Sequence, residues 1–235
     1  MTELRSGAEH DDWVRTTFLR RVAHDIVGGA GVTRGALDEI ERMAAEGRRD
    51  EALLAIARRA VTKLERIGRR LRLVGLAESG ELVIAKASVD LRDVVDAGVA
   101  EASELDGRRT VKVERVRADA PLVTQADAEH VRIAISEIAA NAIRFARARV
   151  RVMERRDEHD TFVIVIDDDG PGFPPSLASE LKPRLRSREG QRGMGASLPV
   201  AVDIVEAHGG EVRLETAEWE GSLRGGRVRL SFPAA

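Results

Sequence analysis

The segment Asp167-Asp168-Asp169-Gly170-Pro171-Gly172-Phe173 sets three carboxylates and two glycines directly after an apolar run, Phe162-Val163-Ile164-Val165-Ile166. A carboxylate held at a strand end can accept a hydrogen bond from a ligand amino group such as that of adenine, and glycines let backbone approach closely. The same residues also make an ordinary charged turn. A second cluster is Glu137 and Asn141, four apart and so on one helix face, with Arg144 three further along. Such an Asn is either a structural residue or an oxygen ligand for Mg²⁺ on nucleotide phosphates, with Arg144 as the phosphate partner. The third is Gly193-Met194-Gly195, which opens a helical pattern at Ala196. Free N–H groups at a helix start form an anion site, although Gly-x-Gly before a helix is a weak signal alone.

Several elements must position these groups. From Trp13, apolar positions recur at Phe18, Val22, Ile26, Gly29/Ala30, Thr33, Leu37 and Ile40, in helical steps of three and four. A turn at 47–50 follows, and Asp50 is placed to cap a second helix. That helix carries Leu53, Ala57, Ala60, Leu64, Ile67, Leu71 and Val74 as a heptad-like seam. Two helices joined so closely form an antiparallel hairpin that cannot hide both seams alone. Pairing with a second copy into a four-helix bundle is therefore expected, with Leu64 and Leu71 in the dimer seam.

Beyond Gly80 the pattern alternates. Asp90 caps a helix reaching about residue 105, and 110–116 reads as a strand. An apolar helix spans 127–147, followed by strands 149–154 and 161–166, a long Gly/Pro/Arg-rich segment 167–192, and a helix 196–207 stopped by Gly209-Gly210. Strands 211–216 and 227–232 close the chain as a hairpin with a Gly-rich connection.

The 235 residues suffice for a real core, and 43% apolar with 33% charged residues reads as globular. A net charge of −2 argues against a nucleic-acid binder, and two Trp, five Phe and no Tyr leave few stacking platforms. The absence of cysteine excludes disulfides, thiolate zinc and thiol catalysis. No apolar run approaches the ~20 residues of a membrane span, and the first ten residues lack a signal-peptide core, so a cytoplasmic protein is expected.

The order and context of the three clusters resemble sensor histidine kinases, whose catalytic domain has the GHKL, or Bergerat, ATP-binding fold. Glu137 and Asn141 resemble the N-box, Asp168-x-Gly170-x-Gly172 the first glycine box, and Gly193-x-Gly195 the second. The stretch from Ile204 to Gly210 is similar to the helix and turn that follow. Asp127 stands where the family usually has an Asp.

The family also places a phosphoacceptor histidine in the first helix of its hairpin, and Arg20-Arg21-Val22-Ala23-His24-Asp25-Ile26 resembles that H-box. His24 is two residues from both Val22 and Ile26, so it points away from their seam into solvent. His10, His130 and His159 have no such context, and His208 reads as a helix C-terminal residue set favourably against the dipole. The resemblance implies that His24 attacks the ATP γ-phosphate while Asp25 orients the ring and takes its proton. It implies ATP and Mg²⁺ as cofactors, with Asn141 as the metal ligand and Asn141, Arg144, Asp168, Gly170, Gly172, Gly193 and Gly195 binding nucleotide. Segment 173–192, with Lys182, Arg184, Arg186, Arg188 and Arg192, resembles the ATP lid.

Three departures stand out. Gly28 and Gly29 occupy the place of a polar residue that in related kinases positions water for dephosphorylating the partner, so weak phosphatase activity is expected. The run Gly28-Gly29-Ala30-Gly31 reads either as a tolerated kink or as a shallow surface for a docking domain. Ser197 replaces a glycine of the second box, and the lid lacks its usual aromatics.

The expected fold is α+β: a helical hairpin at 13–78 after a short tail at 1–12, a linker at 79–89, and an α/β sandwich of the GHKL type at 90–235. The expected function is a soluble, homodimeric histidine kinase that passes phosphate to an Asp of a response-regulator receiver domain, with input from a separate sensory or regulatory protein. The alternatives are a phosphotransfer hub with a degenerate ATP site, and a GHKL ATPase or serine kinase in which Glu137 is the base and His24 incidental.

Overall fold

The computed structural model describes residues 7–104, 111–157, 160–174, 197–219 and 222–234. They fall into two compact units divided between Gly75 and Leu76.

The first unit is a helical hairpin of α1 (Gly7–Ala45) and α2 (Glu51–Ser79), whose last four residues fall in the second unit. Helix α1 begins six residues before Trp13, because Gly7 to Asp12 are small or polar and carry no apolar period to read. It ends on Gly47 at φ +69°, whose N–H donates to Ala44 O at 3.0 Å, while Arg48 N–H donates to Met43 O at 2.8 Å. A left-handed residue of this kind at a helix C-terminus favours glycine. Asp50 caps α2 as expected, its Oδ1 accepting the N–H groups of Ala52 at 2.8 Å and Leu53 at 3.3 Å.

The expected seam of α2 is used inside the hairpin. Ala57, Ala60 and Ile67 are buried, and Leu71 and Val74 pack against the pair Val22 and Ile67. Leu64 lies on Gly29. Leu64 and Leu71, expected in a seam between two copies, are half-buried and make these contacts within the hairpin. The apolar residues left exposed are others, chiefly Ile26, Val27, Val32 and Leu37 on α1 and Leu54, Ile56 and Val61 on α2. The α-helix continues unbroken through Gly28–Gly31. Gly29 is a buried contact rather than a shallow surface, whereas a Cβ at Gly28 or Gly31 would meet nothing within 4 Å.

The second unit is an α+β sandwich. Its elements are β1 (Ala87–Asp90), α3 (Leu91–Glu104), β2 (Lys112–Val116), β3 (Val123–Ala126), α4 (Ala128–Phe145), β4 (Arg149–Arg156), β5 (Thr161–Asp168), α5 (Ser197–Ala207), β6 (Glu211–Trp219) and β7 (Ser222–Pro233). The main sheet has the order β2-β4-β5-β7-β6, antiparallel except for the parallel pair β2–β4. Strands β1 and β3 form a separate antiparallel pair. Helix α4 packs between α3 and α5 and against β5. Strand β5 is buried from Phe162 to Asp168, as its unbroken apolar run requires.

Two features differ from the sequence pattern. Strands β1 and β3 have only four residues each, too few to show an alternation, and all of β1 but Asp90 falls inside the segment expected as linker. Strand β7 starts at Ser222 rather than 227, so Gly225 and Gly226 lie inside it and not in a loose connection. A bulge in β6 between Thr216 and Glu218 admits this pairing.

Candidate functional site

Two aspartates end β5 and a third, Asp169, follows it, and each is held differently. Asp167, fully buried, accepts from Arg151 at 2.8 Å and from Arg227 Nε and Nη2 at 2.7 and 2.9 Å, clamping β4, β5 and β7 together. Asp169 Oδ1 accepts three backbone N–H groups, from Arg147 at 2.8 Å and from Ala148 and Arg149 at 3.1 Å. Burial alone would raise its carboxyl, but these three donors hold it below the usual carboxylate range. Asp169 thus fixes the turn that follows α4.

Asp168 faces a different environment. Its Oδ1 accepts Gly170 N–H at 2.8 Å and Gly226 N–H at 3.3 Å, and no described residue donates to Oδ2. Burial pushes its carboxyl up, with the neighbouring Asp169 and Asp167 adding to the rise and the two glycine N–H groups opposing it. A carboxylate oriented through one oxygen and open at the other suits a ligand that brings its own donor.

The surrounding backbone is close enough that only glycine fits. A Cβ at Gly170 would stand 2.4 Å from Phe145 O, so the first glycine box packs directly on the end of α4. Gly225 has φ +88°, and a Cβ there would stand 1.9 Å from Asp168 O. Gly172 has φ +77° and faces Gly225 O. Trp219 Nε1–H donates to Asp168 O at 3.0 Å, and the guanidinium groups of Arg149 and Arg151 lie 5.0 and 4.7 Å from its ring centre. Gly225, Gly226 and Trp219 were not among the expected site residues. The Gly-Gly dipeptide was the available signal, but it read as a turn because glycine inside a strand is uncommon.

On α4 the expected face is present as a gradient. Glu137 is buried at 2% exposure, Asn141 is half-buried, and Arg144 is exposed near the Phe145 ring, 5.2 Å from its centre. Asp127 caps the helix, its Oδ1 accepting His130 N–H at 3.1 Å. Gly193, Gly195 and Lys182, Arg184, Arg186, Arg188 and Arg192 of the segment expected as a lid lie outside the described residues, as does His159.

In the hairpin unit, His24 is 86% exposed, and its Nδ1 lies 3.4 Å from Asp25 Oδ1. The solvent-facing placement expected from its spacing is observed. His208 differs from expectation: it is buried, and its Nε2 accepts Asp127 N–H at 2.9 Å, so it is a neutral ring and not a cation set against a dipole.

Residues 126–235 match the family of histidine kinase-, DNA gyrase B- and HSP90-like ATPases. The sensory histidine kinase/phosphatase NtrB of Vibrio alginolyticus is 25% identical over 219 residues, which cover 87% of this chain and 59% of NtrB. The chain is similar to sensor histidine kinases over most of its length, and its C-terminal part carries the ATPase domain.

Solved structures share its fold. Full-length ShkA, solved with AMPPNP, superposes with a TM-score of 0.62 at 17% identity, covering 95% of this chain and 46% of ShkA. The Acinetobacter baumannii histidine kinase AdeS gives 0.60 at 18% identity, covering 90% of this chain and 98% of the solved AdeS chain. The family's ATPase domain lies in the α+β unit, where α4, the end of β5 and β7 converge around Asp168. Among the described residues no helix is long and apolar enough to cross a membrane.

Proposed function

We propose that the protein is an ATP-dependent histidine kinase that phosphorylates His24 and passes the phosphoryl group to an Asp of a response-regulator receiver domain. The observation that carries this reading is His24 itself, a solvent-facing imidazole beside a carboxylate in a chain that also has a histidine-kinase-type ATPase domain. With Nδ1–H directed to Asp25, Nε2 keeps its lone pair for in-line attack on the γ-phosphorus of ATP. A P–N bond forms, the bond to the bridging oxygen of ADP breaks, and Asp25 takes the Nδ1 proton from the ring as it becomes cationic.

Asp168 Oδ2 receives the adenine amino group, and Gly170 and Gly172 let backbone approach the base. Arg144 faces phosphate, and the resemblance implies the same role for Gly193 and Gly195. The oxygens of Asn141 and Glu137, one turn apart on α4, are hard donors that fit Mg²⁺. When bound with the nucleotide, that ion neutralises phosphate charge. The exposed apolar residues of the hairpin support a homodimer joined through it.

Incubation with γ-labelled ATP tests the reading. The wild-type protein is expected to gain acid-labile label that a receiver domain removes, and His24→Gln to gain none. ATP hydrolysis without protein label, or label on serine, would replace it with the ATPase or serine-kinase reading. Label acquired only from a phosphorylated receiver would indicate a phosphotransfer hub.

A further inference from the structure

His208 closes α5 at 2% exposure, and both of its ring nitrogens are engaged. Nδ1 lies 2.7 Å from Ile204 O, a carbonyl that can only accept, so Nδ1 carries the proton. Nε2 lies 2.9 Å from Asp127 N, whose proton it accepts. Asp127 in turn caps α4 through Oδ1, and its Oδ2 accepts Ala85 N–H at 3.0 Å. Ala85 lies on the segment that leads out of α2 into β1. One imidazole therefore ties the end of α5 to the start of α4 and, through one carboxylate, to the incoming chain. The following turn holds it in place: Gly209 has φ +78°, and a Cβ at Gly210 would stand 2.1 Å from Ser231 O.

We propose that His208 is a positioning residue for the nucleotide helix: a neutral imidazole joint linking α5, α4 and the Ala85 segment, which opens when the ring is protonated. A ring bearing protons on both nitrogens cannot accept the Asp127 N–H, and that buried donor then loses its partner. The groups facing the ring are Lys86 from the incoming segment, Asp127 at the helix cap and His130 on α4, with the Phe232 ring edge-on from β7. Burial pushes the imidazole down; Lys86 and His130 push the same way, while the Ile204 carbonyl and Asp127 oppose them. The neutral ring is thus the resting form near neutral pH.

The consequence for ATP rests on the proposed function, because α4 carries Glu137, Asn141 and Arg144. The joint itself is measured without nucleotide, by ¹⁵N NMR of the full chain. At about pH 8 the His208 ring is expected to show a protonated Nδ1 and a bare Nε2. On acidification, the Asp127 and Ala85 amides are expected to lose exchange protection together as the ring titrates, by about tenfold or more, the scale of one lost hydrogen bond. His208→Gln keeps an acceptor but cannot take a proton, so the coupled loss is expected to disappear. A protonated Nε2 at pH 8, or Asp127 and Ala85 amides indifferent to the ring, overturns the joint, and the wild-type ring decides this even if the variant misfolds.

ATP affinity measured on the same samples is expected to fall about tenfold into acid in the wild type and about threefold or less in His208→Gln. Equal falls in the two proteins overturn the positioning role. No ATP binding by the wild type at pH 8 overturns the nucleotide site alone, and the ring and amide measurements still decide the joint.

Discussion

The Leu64 side chain rests on the backbone of Gly29, where a Cβ would stand 2.8 Å from its Cδ2 and 3.1 Å from its Cγ. The neighbouring glycines have open space instead, so substitutions a few residues apart should act with opposite sign. Gly28→Ala and Gly31→Ala each gain helix propensity of about 0.8–1 kcal/mol and are expected to raise the melting temperature. Gly29→Ala forces Leu64 aside at about 1–3 kcal/mol and is expected to lower it or leave no gain. Thermal unfolding of the three variants checks this.

His24→Gln is expected to abolish autophosphorylation while changing ATP affinity less than about twofold, since α1 belongs to the hairpin and the nucleotide site to the other unit. Parallel labelling and calorimetric binding measure the two effects separately.

Asp168→Asn is expected to weaken nucleotide binding roughly ten- to hundredfold, the equivalent of about 1.5–3 kcal/mol for a hydrogen bond to a charged group. It should not lower stability. Burial already raises the Asp168 carboxyl, so the ionised form opposes folding above the ordinary carboxylate pKa, and the neutral amide removes that cost. Lost binding with an unchanged or raised unfolding midpoint is the expected pair of results.

Self-association should respond to the apolar residues exposed on the hairpin rather than to the interior seam. Ile26→Asp combined with Leu37→Asp places charges on residues 39% and 48% exposed in the single chain. The double variant is expected to sediment as a folded monomer, with the helical circular dichroism retained. Leu64→Asp instead buries a charge against Gly29 and is expected to unfold the hairpin.

Asp90 joins the start of α3 to Leu122. Its Oδ1 accepts N–H groups from Arg92 and Leu122, both at 3.1 Å, and the Arg92 guanidinium beside it lowers the carboxyl to about 2. A carboxyl lowered in the folded state contributes stability that is full above about pH 4 and is lost as pH falls towards 2. The difference in urea midpoint between wild type and Asp90→Ala is therefore expected to be largest near pH 7 and to shrink between about pH 4 and pH 2.

The parts legible in the sequence were those with a strong local signal. The Asp50 cap, the α2 stripe and the buried run in β5 each follow from a few neighbouring residues. Asp168 was legible because glycines follow a buried strand. Its partners were not: Gly226 is distant in sequence and reaches Asp168 only through the β5–β7 register, which no local pattern encodes. The same holds for His208, whose decisive partner, Asp127, lies on another element. Leu64 was identified as apolar and inward-facing, but periodicity alone does not say which helix covers a stripe.

The parallel pairing of β2 with β4 has a consequence for how the protein assembles. An antiparallel hairpin can zip from its own turn, but a parallel pair must wait for its crossover, here β3 and α4. The α+β unit therefore has high contact order, whereas the helical hairpin is built from neighbouring turns and one short loop. During synthesis the hairpin emerges first and folds on local contacts. The half bearing the exposed imidazole is thus formed before the half that carries the ATPase domain, and under the proposed function a nascent chain would hold the phosphate acceptor with no donor beside it.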